Sequence, residues 1–235
     1  MWNSWGCSVR GPRHRRKSQP NQDAWKARAY SWGNVLAVSD GLGSKPHSDI
    51  GSKAACNAVI SAARHFAAHP LARIEAIPPL IHSLWQIFLG PYYTRDCCAT
   101  CLFAMQISDR IILGRLGDGL IAALGDQIAS VIMTDEKEES FSNITYCLSE
   151  KFRGELWEIR ELQASLYPRI MICTDGVSDD LYEDHRESFS EEVFRNGNNL
   201  AELRRQLVEW PRPKHSDDKT IACLVNDEPP GSPDA

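Results

Sequence analysis

Several protein classes are excluded by features that this sequence of 235 residues does not contain. It has no internal repeat, and its hydrophobic and charged fractions, 43% and 24%, are those of an ordinary globular chain. A collagen-like, coiled-coil or wholly disordered protein is therefore excluded. The formal net charge of −5 argues against nucleic-acid binding through bulk positive charge, so no nucleic-acid partner is predicted.

No apolar segment predicts a membrane or secretory element. Residues 1–11 lack the apolar stretch of a signal peptide. The uncharged stretch at residues 76–94 is long enough to span a bilayer, but Pro78, Pro79 and Gly90 interrupt it. We therefore expect a cytoplasmic protein without a membrane partner.

The eight cysteines do not have the spacing of a disulfide scaffold. Several lie in apolar runs, as Cys173 and Cys223 do, and we expect them to be reduced thiols. Cys97, Cys98 and Cys101 include one Cys-x-x-Cys spacing, but no second ligand pair completes a zinc site. Buried strand cysteines are favoured, and zinc stays the alternative.

Hydrophobic periodicity predicts strands and helices in separate groups. Strands are predicted within residues 25–39, where Gly33-Asn34 forms a turn, and at 99–107, 110–116, 120–124, 129–133, 169–173 and 220–225. Helices are predicted from Ser48 to about 68 and at 78–89, 177–182, 188–195 and 199–209.

The links between consecutive strands are short, as at residues 117–119, and links of this length predict antiparallel neighbours. Antiparallel strands with grouped helices indicate an α+β layered fold and not a doubly wound sheet. We expect one domain over residues 1–225, followed by a disordered tail at 226–235.

A basic segment places five positive charges in eight residues: Arg10, Arg13, Arg15, Arg16 and Lys17. From charge alone, a solvated loop is favoured over an anion-contacting segment.

Three Asp-Gly pairs begin at Asp40, Asp118 and Asp175. Asp-Gly is common in turns, and turn formation alone explains Asp118. Asp40 and Asp175 differ because each lies at the end of an apolar strand and leads toward a helix. A carboxylate in that position, beside a glycine that lets the backbone approach closely, is typical of sites for hard cations.

Five motifs in order resemble the metal-dependent type 2C protein serine/threonine phosphatases in their short bacterial form. They are Asn21-Gln22-Asp23-Ala24, Val38-Ser39-Asp40-Gly41-Leu42-Gly43, Gly117-Asp118-Gly119, Thr174-Asp175-Gly176-Val177-Ser178-Asp179 and Ser216-Asp217-Asp218-Lys219-Thr220. The resemblance extends from about residue 8 to residue 225. It implies two antiparallel sheets packed as a sandwich with helices on both outer faces.

The resemblance also implies a centre of two Mn²⁺ or Mg²⁺ ions. By similarity, Asp40 bridges the two ions and Gly41 contributes its backbone carbonyl. Asp175 and Asp217 match ligands of the first ion, and Asp23 matches a residue that reaches the metals through water. Asp40 and Asp23 are accordingly the expected catalytic residues.

A possible third ion is implied by two further carboxylates. Asp118 and Asp179 resemble the ligands of a weaker site in bacterial members of the family. Asp218 stands where the family usually has asparagine, so we expect it to be a neighbour of the site and not a ligand.

The implied activity is hydrolysis of phosphate monoesters by a water molecule activated between the metals, without a covalent intermediate. The implied partners are a phosphorylated protein and a serine/threonine kinase, and a monomer is expected. An inactive phosphatase-like binding module and a phosphatase for small esters remain alternatives. A nucleophile elbow at Ser39 is weaker, because the helix that follows begins only near Ser48.

The chain departs from the family pattern at several positions. Ser18 stands where an arginine usually grips the substrate phosphate, and Arg16, Lys17 or His14 could supply that contact. Gln22 stands where many members have glutamate. The remaining differences are Leu42 in place of a histidine found in some members, Asp96-Cys97-Cys98-Ala99 before a strand, and a variable acidic flap at residues 135–167.

Overall fold

A computed structural model of the chain describes residues 1–69, 71–135, 145–197, 199–211 and 216–227. Within them the strands are β1 (Trp2–Val9), β2 (Ala24–Tyr30), β3 (Gly33–Ser39), β4 (Cys101–Ile107), β5 (Arg110–Leu116), β6 (Leu120–Leu124), β7 (Val131–Met133), β8 (Glu158–Gln163), β9 (Arg169–Cys173) and β10 (Lys219–Asn226). The helices are α1 (Pro12–Arg16), α2 (Ser48–Ala67), α3 (Ile77–Phe88), α4 (Asp175–Ser178), α5 (Arg186–Arg195) and α6 (Leu200–Val208). Among the described helices, none is both long enough and apolar enough to cross a membrane.

The described strands form two five-stranded sheets in which every pairing is antiparallel. The β10 sheet has the order β1-β10-β9-β6-β7, and the β3 sheet has the order β2-β3-β4-β5-β8. Apolar residues of the two sheets pack against each other in one cluster. The predicted α+β sandwich is confirmed.

Strand β3 shows why the central strands appear as continuous apolar runs. Val35 and Ala37 pack into the cluster that contains α2 and α3, whereas Leu36 and Val38 pack into the cluster between the sheets. Successive side chains of a strand point to opposite faces, so a strand covered on both sides needs apolar residues at every position.

Helices cover the outer face of each sheet. On the β3 sheet, α2 lies close to β3 because its inner face is rich in small residues such as Ala55, Ala58 and Ala62. The indole of Trp85 on α3 donates a hydrogen bond to the carbonyl of Gly51 on α2 over 3.1 Å. On the β10 sheet, α5 and α6 bury apolar residues against the strands. The layers are therefore α-β-β-α.

Three elements were not predicted from the sequence. They are the edge strands β1 and β8 and the short helix α1. Strand β8 has the sequence Glu-Ile-Arg-Glu-Leu-Gln, and none of its residues is fully buried. An edge strand of this polar composition has no apolar run from which it could be predicted. Strand β10 extends to Asn226, one residue past the predicted end of the domain, and the predicted tail from residue 228 lies outside the described residues.

The prediction that the 117–119 link joins antiparallel neighbours was wrong. β5 belongs to the β3 sheet and β6 belongs to the β10 sheet, so the link crosses the sandwich. Gly117 and Gly119 have φ values of +94° and +109°, a region that residues with a side chain rarely adopt. This sharp backbone reversal lets a three-residue link change sheets.

Candidate active site

Strand register places the first two predicted aspartates together. Ala24, the first residue of β2, pairs with Ser39, the last residue of β3. Asp23 precedes β2 and Asp40 follows β3, so both lie at the same end of this hairpin. The amide of Asp40 donates to the hydroxyl of Thr100 over 2.9 Å, which holds the residue as it leaves the strand.

The same end of the β10 sheet carries the next pair. The amide of Thr174 donates to the carbonyl of Thr220 over 3.1 Å, and the amide of Thr220 donates to the Thr174 hydroxyl over 3.1 Å. Asp175 directly follows the first threonine, and Asp217 lies three residues before the second.

Two hydroxyls join the sheets across the site. The Oγ1 atoms of Thr174 and Thr220 donate hydrogen bonds to Oδ2 of Asp23 over 2.9 and 2.7 Å. Asp23 enters from the β3 sheet and the threonines belong to the β10 sheet. Its carboxylate is therefore fixed at the seam between the sheets.

Asp118 reaches the site through the crossing link. Leu120, two residues later, pairs with Cys173 at the end of β9, which brings the link beside Asp175. The guanidinium of Arg115 donates to the carbonyl of Gly117 over 2.8 Å, and the hydroxyl of Thr145 donates to Oδ2 of Asp118 over 2.9 Å. The aspartate at this turn thus faces the site.

The Asp23 and Asp40 carboxyls are strongly coupled. Burial raises the pKa of Asp23 from 3.8 to about 6, although hydrogen bonds with Asp40 and Thr220 act against the increase. Burial raises the pKa of Asp40 well above its ordinary value, and the negative charges of Asp23 and Asp175 add to the increase. Without a cation, the pair therefore binds a proton more tightly than isolated carboxyls do.

The other carboxyls belong to the same electrostatic cluster. Burial, followed by the negative charges of Asp118, Asp23 and Asp179, raises the pKa of Asp175 well above its ordinary value. Burial also raises the pKa of Asp118, with the Thr145 hydrogen bond acting against it. The charge of Asp217 contributes to the raised pKa values of Asp40 and Asp175. All six predicted carboxylates are thus brought together.

Three buried oxygen atoms at this end of the sandwich have no donor partner among the described residues. They are Oε1 of Gln22, Oδ1 of Asp23 and Oδ1 of Asp118. A buried acceptor without a donor is costly, and carboxylate and amide oxygens are the ligands that Mg²⁺ and Mn²⁺ prefer. The side chains present therefore fit a centre for hard divalent cations.

Asp218 holds together segments that are far apart in the sequence. Its Oδ1 accepts the amide of Gly11 over 2.6 Å, and its Oδ2 accepts the amide of Gln22 over 2.6 Å. Oδ2 also lies 2.8 Å from Nδ1 of His14, whose side chain is only 3% exposed. Asp218 is therefore a clamp between the start of β10 and the segment before β2.

One possible metal-ligand group among the described residues combines His14, Asp217 and Asp218, whose ligand atoms lie within 4.8 Å of one another. Both oxygens of Asp218 already have nitrogen partners, so we assign it a structural role. The sulfurs of Cys97, Cys98 and Cys101 do not form such a group within the described part of the chain.

The basic segment divides into a buried and an exposed part. His14 faces the interior, whereas Arg16 and Lys17 are exposed and make no side-chain hydrogen bond or ion pair to another described residue. The amide of Arg13 donates to the carbonyl of Ser216 over 2.9 Å. Helix α1 therefore lies directly against the segment that carries Asp217.

A cleft of about 1000 Å³ opens beside Asp118 and Asp179. Arg115, Arg160 and Arg186 also line it, together with several acidic residues. The site thus continues into a groove of mixed charge.

Sequence reasoning missed several supporting residues. Lys219 is buried beside the carboxylates and donates to the carbonyl of Asp217 over 3.1 Å, and burial lowers its pKa. Thr174, Thr220 and Thr145 orient the carboxylates as described above. The sequence offered one indication of their role: Lys219, Thr174 and Thr220 are close neighbours of the motif aspartates along the chain.

Comparison with known proteins gives matches at the level of family and fold. The family model described as protein phosphatase 2C matches residues 10–211. None of the curated proteins matches the sequence.

Solved structures with a similar fold include RsbX and two phosphatases. RsbX in complex with magnesium is 16% identical, with a TM-score of 0.62 over 95% of this chain and 94% of that chain. A bacterial serine phosphatase is 16% identical, with a TM-score of 0.65 over 96% and 98%. Serine/threonine phosphatase Stp1 from Staphylococcus aureus is 14% identical, with a TM-score of 0.62 over 97% and 96%.

Proposed function

Because the chain belongs to the protein phosphatase 2C family of metal-dependent serine/threonine phosphatases, we propose that its aspartate cluster is the metal centre of a phosphoprotein phosphatase. The observation that carries the proposal is the convergence of six carboxylates from both sheets, with buried oxygens that have no donor within the described part of the chain.

We assign two ions, Mn²⁺ or Mg²⁺, to Asp23, Asp40, Asp175, Asp217 and the backbone carbonyl of Gly41. Bound ions of this kind lower the pKa of water and screen the charge of the phosphoryl group. A Cβ on Gly41 would lie 2.5 Å from the carbonyl oxygen of Ser48, so this position leaves no room for a side chain.

Asp118 and Asp179 are proposed to bind a third ion. The negative charge of Asp179 contributes to the raised pKa of Asp118, and Oδ1 of Asp118 has no donor in the described ranges of the chain. Asp179 is exposed, whereas Asp23 is 5% exposed. A more exposed pair should bind its ion more weakly than the central carboxylates do.

The side chains around Asp23 prepare it for its role. The hydroxyls of Thr174 and Thr220 donate to Oδ2, whereas Oδ1 has no donor partner among the described residues. Any proton that Asp23 and Asp40 bind without metal must leave when a cation binds. Metal affinity should therefore increase with pH.

We propose that Arg16 and Lys17 contact the substrate phosphate, in place of the arginine that the family pattern has at Ser18. His14 is instead a positioning residue, because its contact with Asp218 fixes α1 beside Asp217. Replacing both Arg16 and Lys17 with alanine should raise KM for a phosphopeptide more than it lowers kcat. An unchanged KM would show that the basic segment does not contact the substrate.

The substrate class proposed is a phosphoserine or phosphothreonine protein, acted on by a monomeric enzyme whose opposing partner is a kinase. The eight free thiols fit a reducing compartment, and we propose the cytoplasm. A small-ester phosphatase would instead have a higher kcat/KM for p-nitrophenyl phosphate than for phosphopeptides.

The deciding experiment measures phosphate release from phosphoserine and phosphothreonine peptides with Mn²⁺, with Mg²⁺ and with excess EDTA. We expect activity with either metal, none in EDTA, and no inhibition by okadaic-acid-type compounds. Full activity in EDTA would contradict the metal mechanism. Calorimetric metal binding without any hydrolysis would favour the inactive binding module.

A further inference from the structure

Two cysteines lie close together beside the proposed metal centre. Cys98 precedes β4, and Cys147 lies within residues 135–167. The thiol of Cys98 lies 3.8 and 3.7 Å from the carbonyl oxygens of Thr94 and Arg95. Between the two cysteines, Ala99 and Leu148 form an antiparallel bridge in which the amide of Leu148 donates to the carbonyl of Ala99 over 2.8 Å. Cys98 and Cys147 are therefore diagonal neighbours on one face of this bridge.

The pair differs from the other thiols. Burial raises the pKa of core thiols such as Cys56 and Cys173, and burial also raises that of Cys97 to about 11. The neighbouring Cys147 thiol lowers the pKa of Cys98 to about 7, with burial acting against the decrease and the ammonium of Lys45 adding to it. Cys147 is partly exposed, so a small reagent can reach the pair.

We propose that Cys98 and Cys147 are a modification site at which a hydroperoxide converts the two thiols to a disulfide. The Cys98 thiolate attacks one oxygen of hydrogen peroxide, so an S–O bond forms, the O–O bond breaks and hydroxide leaves. The Cys147 sulfur then attacks the Cys98 sulfur and displaces the second hydroxide. The two thiol protons convert both hydroxides to water, and two electrons pass from the sulfurs to the peroxide.

The backbone around the pair connects it to the candidate active site. The carbonyl of Cys98 accepts the amide of Leu42 over 3.0 Å, and Ala99 forms a bridge with Gly41. On the other side, Thr145, two residues before Cys147, holds Asp118 through its hydroxyl. A disulfide requires the two sulfurs to approach to about 2 Å. Its formation should therefore move the Thr145 segment relative to Asp118.

The first test uses the reduced, metal-stripped full chain, treated with hydrogen peroxide at pH 7, alkylated and digested for mass spectrometry. We expect a peptide pair linked through Cys98 and Cys147, with two of the eight free thiols lost. Cys147→Ser should give no linked pair and should leave Cys98 as a sulfenic acid that dimedone captures. Cys7→Ser, which removes a partly exposed thiol on β1, should still give the linked pair.

Two results of that experiment would overturn the proposal. One is alkylation of both Cys98 and Cys147 after peroxide has oxidised Cys7, and the other is a link between Cys97 and Cys98.

The second test measures phosphopeptide hydrolysis after Mg²⁺ is added, and this part depends on the proposed function. The oxidised wild-type protein should hydrolyse the phosphopeptide about tenfold more slowly than the reduced protein, or slower still. A displacement of about 1 Å in a group that positions the reactants can lower the rate by about 100-fold. Dithiothreitol should restore the rate, and the double variant Cys98→Ser/Cys147→Ser should keep its rate after peroxide. Equal rates before and after complete disulfide formation would overturn the connection to Asp118.

Failure of the two proposals can be distinguished. A reduced protein without phosphatase activity would contradict the proposed function, whereas the linked peptide would still decide whether the dithiol exists. A linked peptide is observed by mass and needs neither metal nor substrate.

Discussion

At the scale of single residues, the aspartates of the site are not equivalent. Asp40 lies among three other carboxylates, whereas Asp118 has Thr145 as a partner and lines a cleft. A central ligand and a peripheral one should respond differently to the loss of one charge.

Asp40→Asn should lower kcat by about 100-fold or more even at saturating Mn²⁺. Removing a residue that only supports a metal ligand already lowers metal affinity or activity by about 10–100-fold, and Asp40 is proposed to be a ligand itself. Asp118→Asn should approach wild-type kcat as Mn²⁺ is raised. Steady-state kinetics over a Mn²⁺ titration checks both, with Asp126→Asn, a partly exposed carboxylate paired with Arg169, as the control. Equal losses for Asp40 and Asp118 at saturating metal would contradict this ranking.

Asp218→Asn should destabilise the protein by about 1–3 kcal/mol. The asparagine side chain keeps one acceptor oxygen but replaces the other with an NH₂ group, which cannot accept a hydrogen bond. At least one of the buried donors that Asp218 now satisfies would then have no acceptor, and a buried unpaired donor is costly. Urea denaturation of metal-free protein gives the free energy of unfolding. If Asp218→Asn unfolds at the wild-type urea concentration, Asp218 is not the clamp described above.

At the scale of elements, the crossing link between β5 and β6 is the unusual feature. It places Asp118 in the site only because glycines permit its backbone to reverse. In Gly119, a Cβ would also lie 2.8 Å from the carbonyl oxygen of Cys173. Backbone strain and crowding therefore coincide at this residue.

Gly119→Ala should cost at least about 1 kcal/mol more in unfolding free energy than Gly90→Ala. Both glycines have positive φ, +109° and +60°, but a Cβ on Gly90 would meet no atom within 4 Å. Comparing the two variants therefore separates the effect of crowding at the link from the strain that a positive φ causes in any residue with a side chain. Similar losses in urea denaturation would show that the link has room for a methyl group.

At the scale of the whole molecule, the site opposes folding when no cation is present. Four carboxyls with raised pKa values are held at the seam of the sandwich: Asp23, Asp40, Asp118 and Asp175. The fold gathers charges that the unfolded chain would keep apart.

The stability of metal-free protein should therefore fall as pH rises. A carboxyl whose pKa is raised by folding binds its proton more tightly in the folded state, so its contribution is complete below the unfolded pKa and is lost as pH passes the folded value. For Asp23 this range extends from about 4 to about 6, and Asp40 and Asp175 extend it upward. Thermal denaturation in EDTA from pH 4.5 to 7.5 measures the fall. The stability of Asp40→Asn should fall less steeply with pH. A fall as steep as that of the wild type would contradict the assignment of the pH dependence to these carboxyls.

Mn²⁺ should reverse this destabilisation at pH 7. A ligand that binds only the folded state, at a hundredfold excess over Kd, stabilises it by about 2.7 kcal/mol, which corresponds to a rise in Tm of about 5–10 °C for a domain of this size. Differential scanning fluorimetry of metal-stripped protein over a Mn²⁺ titration gives the shift. The rise should be smaller for Asp40→Asn, and a constant Tm in wild type would mean that the aspartates do not form a metal centre.

The sequence by itself determined the central strands, the main helices and the order of the aspartate motifs. Each of these depends on residues close together in the chain, because a buried strand must be apolar along its length and a cation ligand must follow where the strand ends. The α+β layered class was predicted correctly for the same reason, and the resemblance to the family supplied the sandwich of two sheets and the order of its layers.

Only the tertiary structure decided which distant segments meet. The polar edge strand β8, the change of sheet at residues 117–119 and the burial of His14 leave no periodic pattern in the sequence. Asp218 accepts the amide of Gly11 across 207 positions of the chain, and Cys98 meets Cys147 across a bridge between separate loops. Such contacts depend on how the two sheets pack and pair, which local composition does not encode.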